Sequence, residues 1–365
     1  MPRRHVGCFP AIMSRPRLRT VLTVLLAPVF LLAAAPAEPL RPKVVIVTFF
    51  ERGEDTGDAP GEFQHWVERE KLDVVLPFPA GHQALRTNAD GSILGICTGM
   101  GTARSTASIM ALGLDPRLDL SRSYFLIAGI AGVDPADASL GSVAWAEWVV
   151  DGDLAHEIDP REMPAGWTTG YIPLRRHHPY EKPADRSAGA AYRLDPALTE
   201  WAYQLTKDTP LDDTPAMAQR RALYTDTPAA RRTPFVLKGD TLSGMTYWHG
   251  RLLNRWANDW VRYYSDEQGN YVTTAMEDTG VLQALVRLSA AGRADVRRVL
   301  VLRAASNFDM QWPGGSAAES LSGEKLGPGY SALLPALDHA HRVGSRVVQA
   351  LIAGWPDYAE RLPAP

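Results

Sequence analysis

The chain has 365 residues, 45% hydrophobic and 22% charged, enough for one large or two ordinary globular domains. Glycine (30) and proline (28) are frequent but follow no repeat, which excludes collagen, coiled coil and wholesale disorder. The formal net charge is −3; without residues 1–37, which hold five Arg and no acid, 33 basic and 41 acidic residues remain and the charge is −8, so a basic nucleic-acid footprint is absent.

Arg3, Arg4, Arg15, Arg17 and Arg19 precede an apolar run, TVLTVLLAPVFLLAAAPA, at 20–37. Pro28 interrupts the run, which closes on Ala35-Pro36-Ala37. This predicts a secretory signal peptide cleaved near Ala37, with Met13 an alternative start. An uncleaved anchor is the competing reading, since the run is near the ~18-residue spanning limit. Beyond residue 37 no stretch reaches the ~20 apolar residues needed to span a bilayer. Cys8 leaves with the leader, so Cys97 stands alone, no internal disulfide forms, and Cys97 reads as a buried small residue. The expectation is a secreted or periplasmic protein with residues 38–365 as one domain.

In chain order, KVVIVTFF (43–50) is the first strand, followed by a polar loop, ERGEDTGDAPGE. A short helix over 63–71 leads to a strand in LDVVLPFP. A hairpin turn around Asn88 feeds ILGICTG. Gly99-Met100-Gly101 then opens a small-residue helix over 102–114. SYFLIAGIAG (123–132) is almost wholly apolar, as in a strand covered on both faces. GSVAWAEWVVDGDL (141–154) is strand-like again. Residues 155–234 are dense in proline and charge and read as a long insertion with one helix near 196–206. PFVLKG (234–239) is a strand and 247–264 a helix. YVTTAMEDTGVLQAL (271–285) passes from β-branched to helical spacing. VRRVLVLRAAS (296–306) is a buried strand, 313–329 a Gly/Ser-rich loop, and 330–354 the final helix. Strands alternating with helices predict an α/β fold: a three-layer α/β/α sandwich with a mixed, largely parallel sheet and a long central insertion.

Ligand sites in such folds gather beyond the strand ends. Four places qualify. Gly99 and Gly101 flank a strand-to-helix turn that either aims backbone N–H groups at an anion or sugar oxygen or is simply a tight turn. Gly129 and Gly132 end an apolar strand, where small residues admit a ligand or a packed helix. Met276, Glu277 and Asp278 occupy a strand–helix junction, where carboxylates stabilise a helix start or grip a ligand. Ser306-Asn307-Phe308-Asp309 ends the late strand, and Asn307 offers both a donor and an acceptor. No metal set emerges: His177-His178 and His156-Glu157-Ile158-Asp159 lack ligand spacing. No G-x-S-x-G is present.

The order of these segments resembles the nucleoside phosphorylase and nucleosidase superfamily. More closely, VVIVTFFERGEDTGDAPGE, TGMGTARSTASIMALGLDP, FLIAGIAGVDP, WVVDGDLAHEID, VLKGDTLSGMTYWHG, AMEDTG and RAASNFD resemble the purine nucleoside permease family, from 43 to about 330. The resemblance implies a nucleoside-phosphorylase-like fold and a purine nucleoside as ligand. Met276 and Glu277 match a pair that holds the ribose; a carboxylate accepts two vicinal hydroxyls in a fixed fork. Asn307 matches the residue contacting the purine, usually Asp in nucleosidases. Asn cannot protonate N7 but can hydrogen-bond the departing base, and Asp309 is a substitute acid.

Three departures bear on chemistry. Where bacterial-type phosphorylases carry phosphate-binding Arg and Ser, this chain has Ile127 and Ile130. The loop after the first strand holds Glu51, Glu54, Asp55 and Asp58, which repel phosphate; Arg52 and Arg104 are the remaining cations. Where a Phe stacks on the base, this chain has Leu242 in Gly239-Asp240-Thr241-Leu242, with Tyr247 or Trp248 as replacement rings. Two functions follow from the resemblance: extracytoplasmic nucleoside binding in support of uptake, and cleavage of the N-glycosidic bond, with water favoured over phosphate. In the second, Asn307 and Asp309 are the catalytic candidates. In both, Leu242, Trp248 and Asn307 face the base, and Gly99, Gly101, Gly129 and Gly132 offer backbone contacts. No cofactor or metal is expected, phosphate being at most a co-substrate, and a homo-oligomer is left open. A soluble α/β domain cannot itself form a path through a bilayer.

Overall fold

The computed structural model describes residues 38–187, 189–325 and 331–365; the leader expected at 1–37 lies outside the described residues. The first third holds β1 (Val44–Thr48), α1 (Gln64–Arg69), β2 (Val74–Leu76), β3 (Leu85–Thr87), β4 (Ile93–Cys97), α2 (Thr102–Leu114), β5 (Tyr124–Val133), β6 (Val143–Ala146) and β7 (Trp148–Asp151). The central stretch holds β8 (Ala155–Glu157), β9 (Tyr171–Pro173), β10 (Ala191–Arg193), α3 (Pro196–Thr206) and α4 (Pro215–Arg221). The remainder holds β11 (Val236–Lys238), β12 (Asp240–Ser243), α5 (Arg251–Tyr264), β13 (Tyr271–Ala275), α6 (Asp278–Ala290), β14 (Val299–Phe308), α7 (Ala317–Lys325), α8 (Leu333–Ala353) and α9 (Trp355–Tyr358).

The expected α/β architecture holds. β1 lies between β4 and β5, and β14 lies beside β5, all parallel. Alternation along these strands sorts their side chains into two apolar layers. Val44, Ile46, Tyr124, Leu126, Leu300 and Leu302 pack on the side of α8 and α3. Val45, Val47, Phe125, Ile127, Val299 and Val301 pack on the side of α2 and α6. β5 and β14 are therefore buried on both faces, which explains their unbroken apolar runs.

Beyond this layered half the sheet curls back on itself. β14 also pairs antiparallel with β6, and β6 continues through Glu147 into β7. β7 pairs with β12, β12 with β13, and β13 with the far end of β5, which returns to β14. The strands thus close a small ring, a feature the sequence did not announce. Asp240 braces the bend: its carboxylate accepts the N–H groups of Glu147 (3.0 Å), Trp148 (2.7 Å) and Asn270 (2.7 Å). Burial pushes its pKa up to about 6, against those backbone bonds.

Several elements differ from expectation. The helix expected from 247 starts at Arg251, because Gly250 takes φ +126° and donates its N–H to the Asp309 carbonyl at 2.8 Å. This frees 244–249 as a loop. α7 occupies part of the expected loop at 313–329. The central stretch adds α4, a two-stranded β8–β9 hairpin and β10, which extends the main sheet beside β7.

The helices α2 and α6 cross where Gly280 has no side chain. A Cβ there would lie 2.4 Å from both Ser105 Oγ and the Thr102 carbonyl. Ser105 Oγ donates to the Glu277 carbonyl (3.1 Å) and Thr106 Oγ1 to the Gly280 carbonyl (3.0 Å). This contact brings the start of α2 against the start of α6.

Candidate functional site

A cavity of about 350 Å³ opens beyond the carboxyl ends of β1, β4, β5 and β14. Ile130, Ala131 and Gly132 from β5, Thr274 and Ala275 from β13, and Ser306 and Asn307 from β14 form its walls. Met276 and Glu277 from the β13–α6 junction line it, with Phe50, Arg52 and Glu62 from the loop after β1. Met100, Tyr247 and Leu333 complete the lining. Three of the four places singled out in the sequence therefore meet here through a lining side chain or Gly132, and the fourth contributes Met100.

Glu277 is 5% exposed. Its Oε1 accepts the Gly101 N–H (3.3 Å), while Oε2 accepts the Met276 N–H (3.2 Å) and a bond from Arg303 Nη2 (3.2 Å). Gly101 has φ +90°, a conformation that favours glycine and turns its N–H toward the carboxylate. Gly99, at φ +84°, shapes the same turn but is not among the lining residues. Burial raises the Glu277 pKa, Arg303 opposes this, and Asp278 adds to it.

Arg303 is one of two residues of the site that the sequence reading missed. It is wholly buried within β14 and bonds Asp278 through Nη2 (2.6 Å) and Nε (3.2 Å). Nη1 donates to the Ile130 carbonyl (3.0 Å), and the guanidinium lies over the Phe49 ring at 4.6 Å. Burial works against its charge, but Asp278, Glu277 and Glu62 hold its pKa above the usual value. Asp278 is itself fully buried, so it serves as the counter-ion of Arg303 and not as a solvated helix-start residue. Gly129 lies beneath this cluster: a Cβ there would approach Arg303 Nη1 to 2.5 Å and Glu62 Oε1 to 2.6 Å. Its role is to leave room for the cluster.

Glu62 was also unforeseen. It is buried on the cavity wall, accepting the N–H groups of Phe49 (2.9 Å) and Ile130 (2.7 Å). Burial pushes its pKa up to about 8, opposed by Arg303 and reinforced by Glu277. The unfolded chain releases this proton near 4.5. The native state therefore binds the extra proton between about 4.5 and 8, and stability falls as pH rises through that window. Glu62→Gln, which cannot titrate, flattens this part of the stability–pH curve measured by urea unfolding, whatever its effect on the absolute level. An unchanged slope would remove the assignment.

Asn307 lines the cavity, 2% exposed; its Oδ1 accepts from Ser306 Oγ (2.9 Å) and its Nδ2 donates to the Phe308 carbonyl (3.0 Å). Asp309 is not among the lining residues. It is fully buried on the other side of the strand end, taking Asn254 Nδ2 (3.1 and 3.2 Å) and the Tyr271 hydroxyl (2.5 Å). Burial, with the Asp134 charge beside it, holds its carboxyl well above the usual range. Leu242 lies behind the cavity in a separate hollow, and Trp248 borders both that hollow and a narrow throat beside Asn307.

The carboxylates after β1 are mostly engaged internally. Glu51 accepts the N–H groups of Gly61, Phe63 and Gln64, and Asp55 pairs with Arg86. The expected repulsion of anions is weaker than their number implies. Arg52 lies exposed on the cavity wall, whereas Arg104 does not line it. Ile127 is core and Ile130 is cavity wall. Among the described residues one set, Asp212, Asp338 and His339, has metal-like spacing. Its atoms are already used: Arg342 bonds both carboxylates at 2.7 Å, and His339 bonds the Gly141 carbonyl (2.7 Å) and the Asp212 N–H (3.0 Å).

A buried carboxylate in a largely apolar cavity at the strand ends of an α/β sheet has the form that small-molecule sites usually take. The purine nucleoside permease family model matches residues 41–363, and the chain belongs to that family. A probable purine nucleoside permease of Schizosaccharomyces pombe is 33% identical over 333 residues, covering 86% of this chain and 90% of the relative. A purine nucleoside permease of Candida albicans is 28% identical over 319 residues, covering 86% and 76%. Among solved structures, a 5′-methylthioadenosine/S-adenosylhomocysteine nucleosidase from Helicobacter pylori has a TM-score of 0.49 at 14% identity, covering 86% of this chain and 98% of that one. Futalosine hydrolase of Helicobacter pylori has a TM-score of 0.48 at 13% identity, covering 85% and 98%.

Proposed function

We propose that the protein binds purine nucleosides outside the cytoplasm in support of their uptake. The observation that carries this reading is Glu277: a buried carboxylate on the cavity wall, fixed by Gly101, Met276 and Arg303. Its orientation suits the vicinal hydroxyls of a ribose, with Met276 against the sugar and Asn307 toward the base. The wall is otherwise largely apolar, as a purine requires. No helix among the described residues is long and apolar enough to cross a membrane. In this reading the protein assists uptake by capture, and passage belongs to another component. Export through the N-terminal leader is part of the proposal.

Glu62 favours a second reading, hydrolysis of the N-glycosidic bond. A cavity-facing carboxyl with a pKa near 8 is partly ionised at neutral pH and can take a proton from water. The water oxygen bonds to the anomeric carbon as the C–N bond breaks, and the electron pair leaves with the purine. Glu277 stabilises the cationic ribose and Asn307 hydrogen-bonds the departing base. Asp309, turned away from the cavity, is not placed to deliver a proton directly.

Incubating purified residues 38–365 with adenosine, guanosine and inosine, with and without phosphate, separates the readings. Binding without release of free base supports capture. Free base without phosphate supports hydrolysis, and base formed only with phosphate turns attention to Arg52. No binding to any of the three overturns both.

A further inference from the structure

Asp309 is buried and faces away from the cavity, yet it is bonded to each element that builds the cavity wall around Asn307. Its N–H donates to the Val133 carbonyl of β5 (3.0 Å), and its carbonyl accepts the Gly250 N–H at the start of α5 (2.8 Å). Its carboxylate accepts the Tyr271 hydroxyl of β13 (2.5 Å) and, through both oxygens, Asn254 Nδ2 of α5 (3.1 and 3.2 Å). Four lining residues stand close to these bonds along the chain. Gly132 adjoins Val133, Asn307 lies two residues before Asp309, Thr274 three after Tyr271, and Tyr247 three before Gly250. The same four line the narrow throat.

A second bond of the same kind lies one turn along α5, where Asn258 Nδ2 donates to the buried Asp134 (2.8 Å). Asn254 and Asn258 share one helix face, so α5 is docked on two buried carboxylates. Such burial is costly unless the groups are hydrogen-bonded, and once they are, the network fixes one arrangement. What this docking controls is the loop 244–249. The other end of the loop is held separately: the Gly244 N–H donates to the Ala275 carbonyl (3.0 Å) and the Met245 N–H to Asp153 (2.6 Å). Between the two anchors stands Tyr247, 37% exposed and on the cavity wall, so the fixed ends decide where its ring lies. Resting on the nucleoside reading of the main cavity, we propose that Asp309 is a positioning residue that, through Gly250 and Asn254, holds the loop setting Tyr247 against the purine. Asp309 thereby governs how tightly the base is held, whereas Glu277 holds the sugar.

Asp309→Ala would also strand the Tyr271 hydroxyl in the core, so the test uses Asn254→Ala, which leaves that bond in place. Isothermal titration of the full chain compares adenosine with 2′-deoxyadenosine. Asn254→Ala is expected to weaken both about 10-fold, as the loss of one net hydrogen bond allows, and to keep the preference between them that Glu277 sets. In a Tyr247→Ala background the same substitution is expected to cost less than about 2-fold, since changes acting through one contact are not additive. An equal loss in both backgrounds overturns the proposal, and so does a lowered Tm with adenosine affinity unchanged. Fluorine NMR of 3-fluorotyrosine-labelled protein supplies a readout that needs no ligand. The signal lost in Tyr247→Phe should shift or split in Asn254→Ala, and a signal that stays put also overturns the proposal. Failure of the unsubstituted protein to bind adenosine, with the Tyr247 signal still moved by Asn254→Ala, overturns the nucleoside reading and not the positioning of Tyr247.

Discussion

Glu277→Ala lowers affinity for purine ribonucleosides by at least ~100-fold, because two charge-assisted hydrogen bonds of about 1.5–3 kcal/mol each disappear together. Three donors aim the carboxylate before any ligand arrives, the nearer two at 3.2 Å, so little ordering cost offsets its gain. The effect belongs to the sugar. Wild-type protein should prefer adenosine over 2′-deoxyadenosine and 3′-deoxyadenosine, and Glu277→Ala should bind all three alike, a double-mutant cycle with the ligand as second partner. Isothermal titration with these ligands checks it. A retained preference among them in Glu277→Ala would place the ribose elsewhere.

Arg303→Met is expected to be the most damaging substitution for the fold. It leaves Asp278, Glu277 and Glu62 buried together without their shared cation. Removing one partner of a buried ion pair costs about 3–5 kcal/mol, a Tm loss on the order of 10 °C for a chain of this size. The loss depends on pH. Without the guanidinium, which opposes the upward shift of both, the native pKa values of Glu62 and Glu277 rise further above their unfolded values. The native state then holds protons that the unfolded chain has released, so the deficit is smallest at acid pH and grows as pH rises through neutrality. Calorimetric melting at pH 5 and pH 8 tests this. A deficit equal at both would mean that Arg303 contributes packing over Phe49 and not charge.

Much of the site was legible because its residues break a local pattern. Glu277 follows the β-branched and apolar run YVTTAM directly, and Asn307 ends an otherwise apolar strand. Arg303 was written just as openly, a lone cation in VLVLRAAS. A buried Arg demands a carboxylate, yet its partner Asp278 is 25 residues away on another element, and no spacing rule links them. Glu62 lies in a turn 14 residues beyond β1, where an acid ordinarily faces water. The misplacement of Asp309 has a geometric cause. Two residues apart, Asn307 and Asp309 would share one face of a regular strand. β14 carries a register shift near Ser306 and ends at Phe308, and the chain then turns Asp309 toward Tyr271 and Asn254. The ring closure escaped notice because it depends on β6 and β7 being one bent strand that serves two neighbours.

That ring also sets a timetable. Its seams join β5 to β13 and β14 to both β5 and β6, so the earlier strands wait for partners synthesised more than 130 residues later. Such long-range pairings form slowly. A chain emerging from the ribosome cannot assemble the cavity until Val299–Phe308 has been made, and until then Glu62 and Glu277 have no Arg303 beside them. Under the export proposed above, this delay would be an advantage: the late arrival of one strand would keep the chain threadable and reserve ligand capture for the far side.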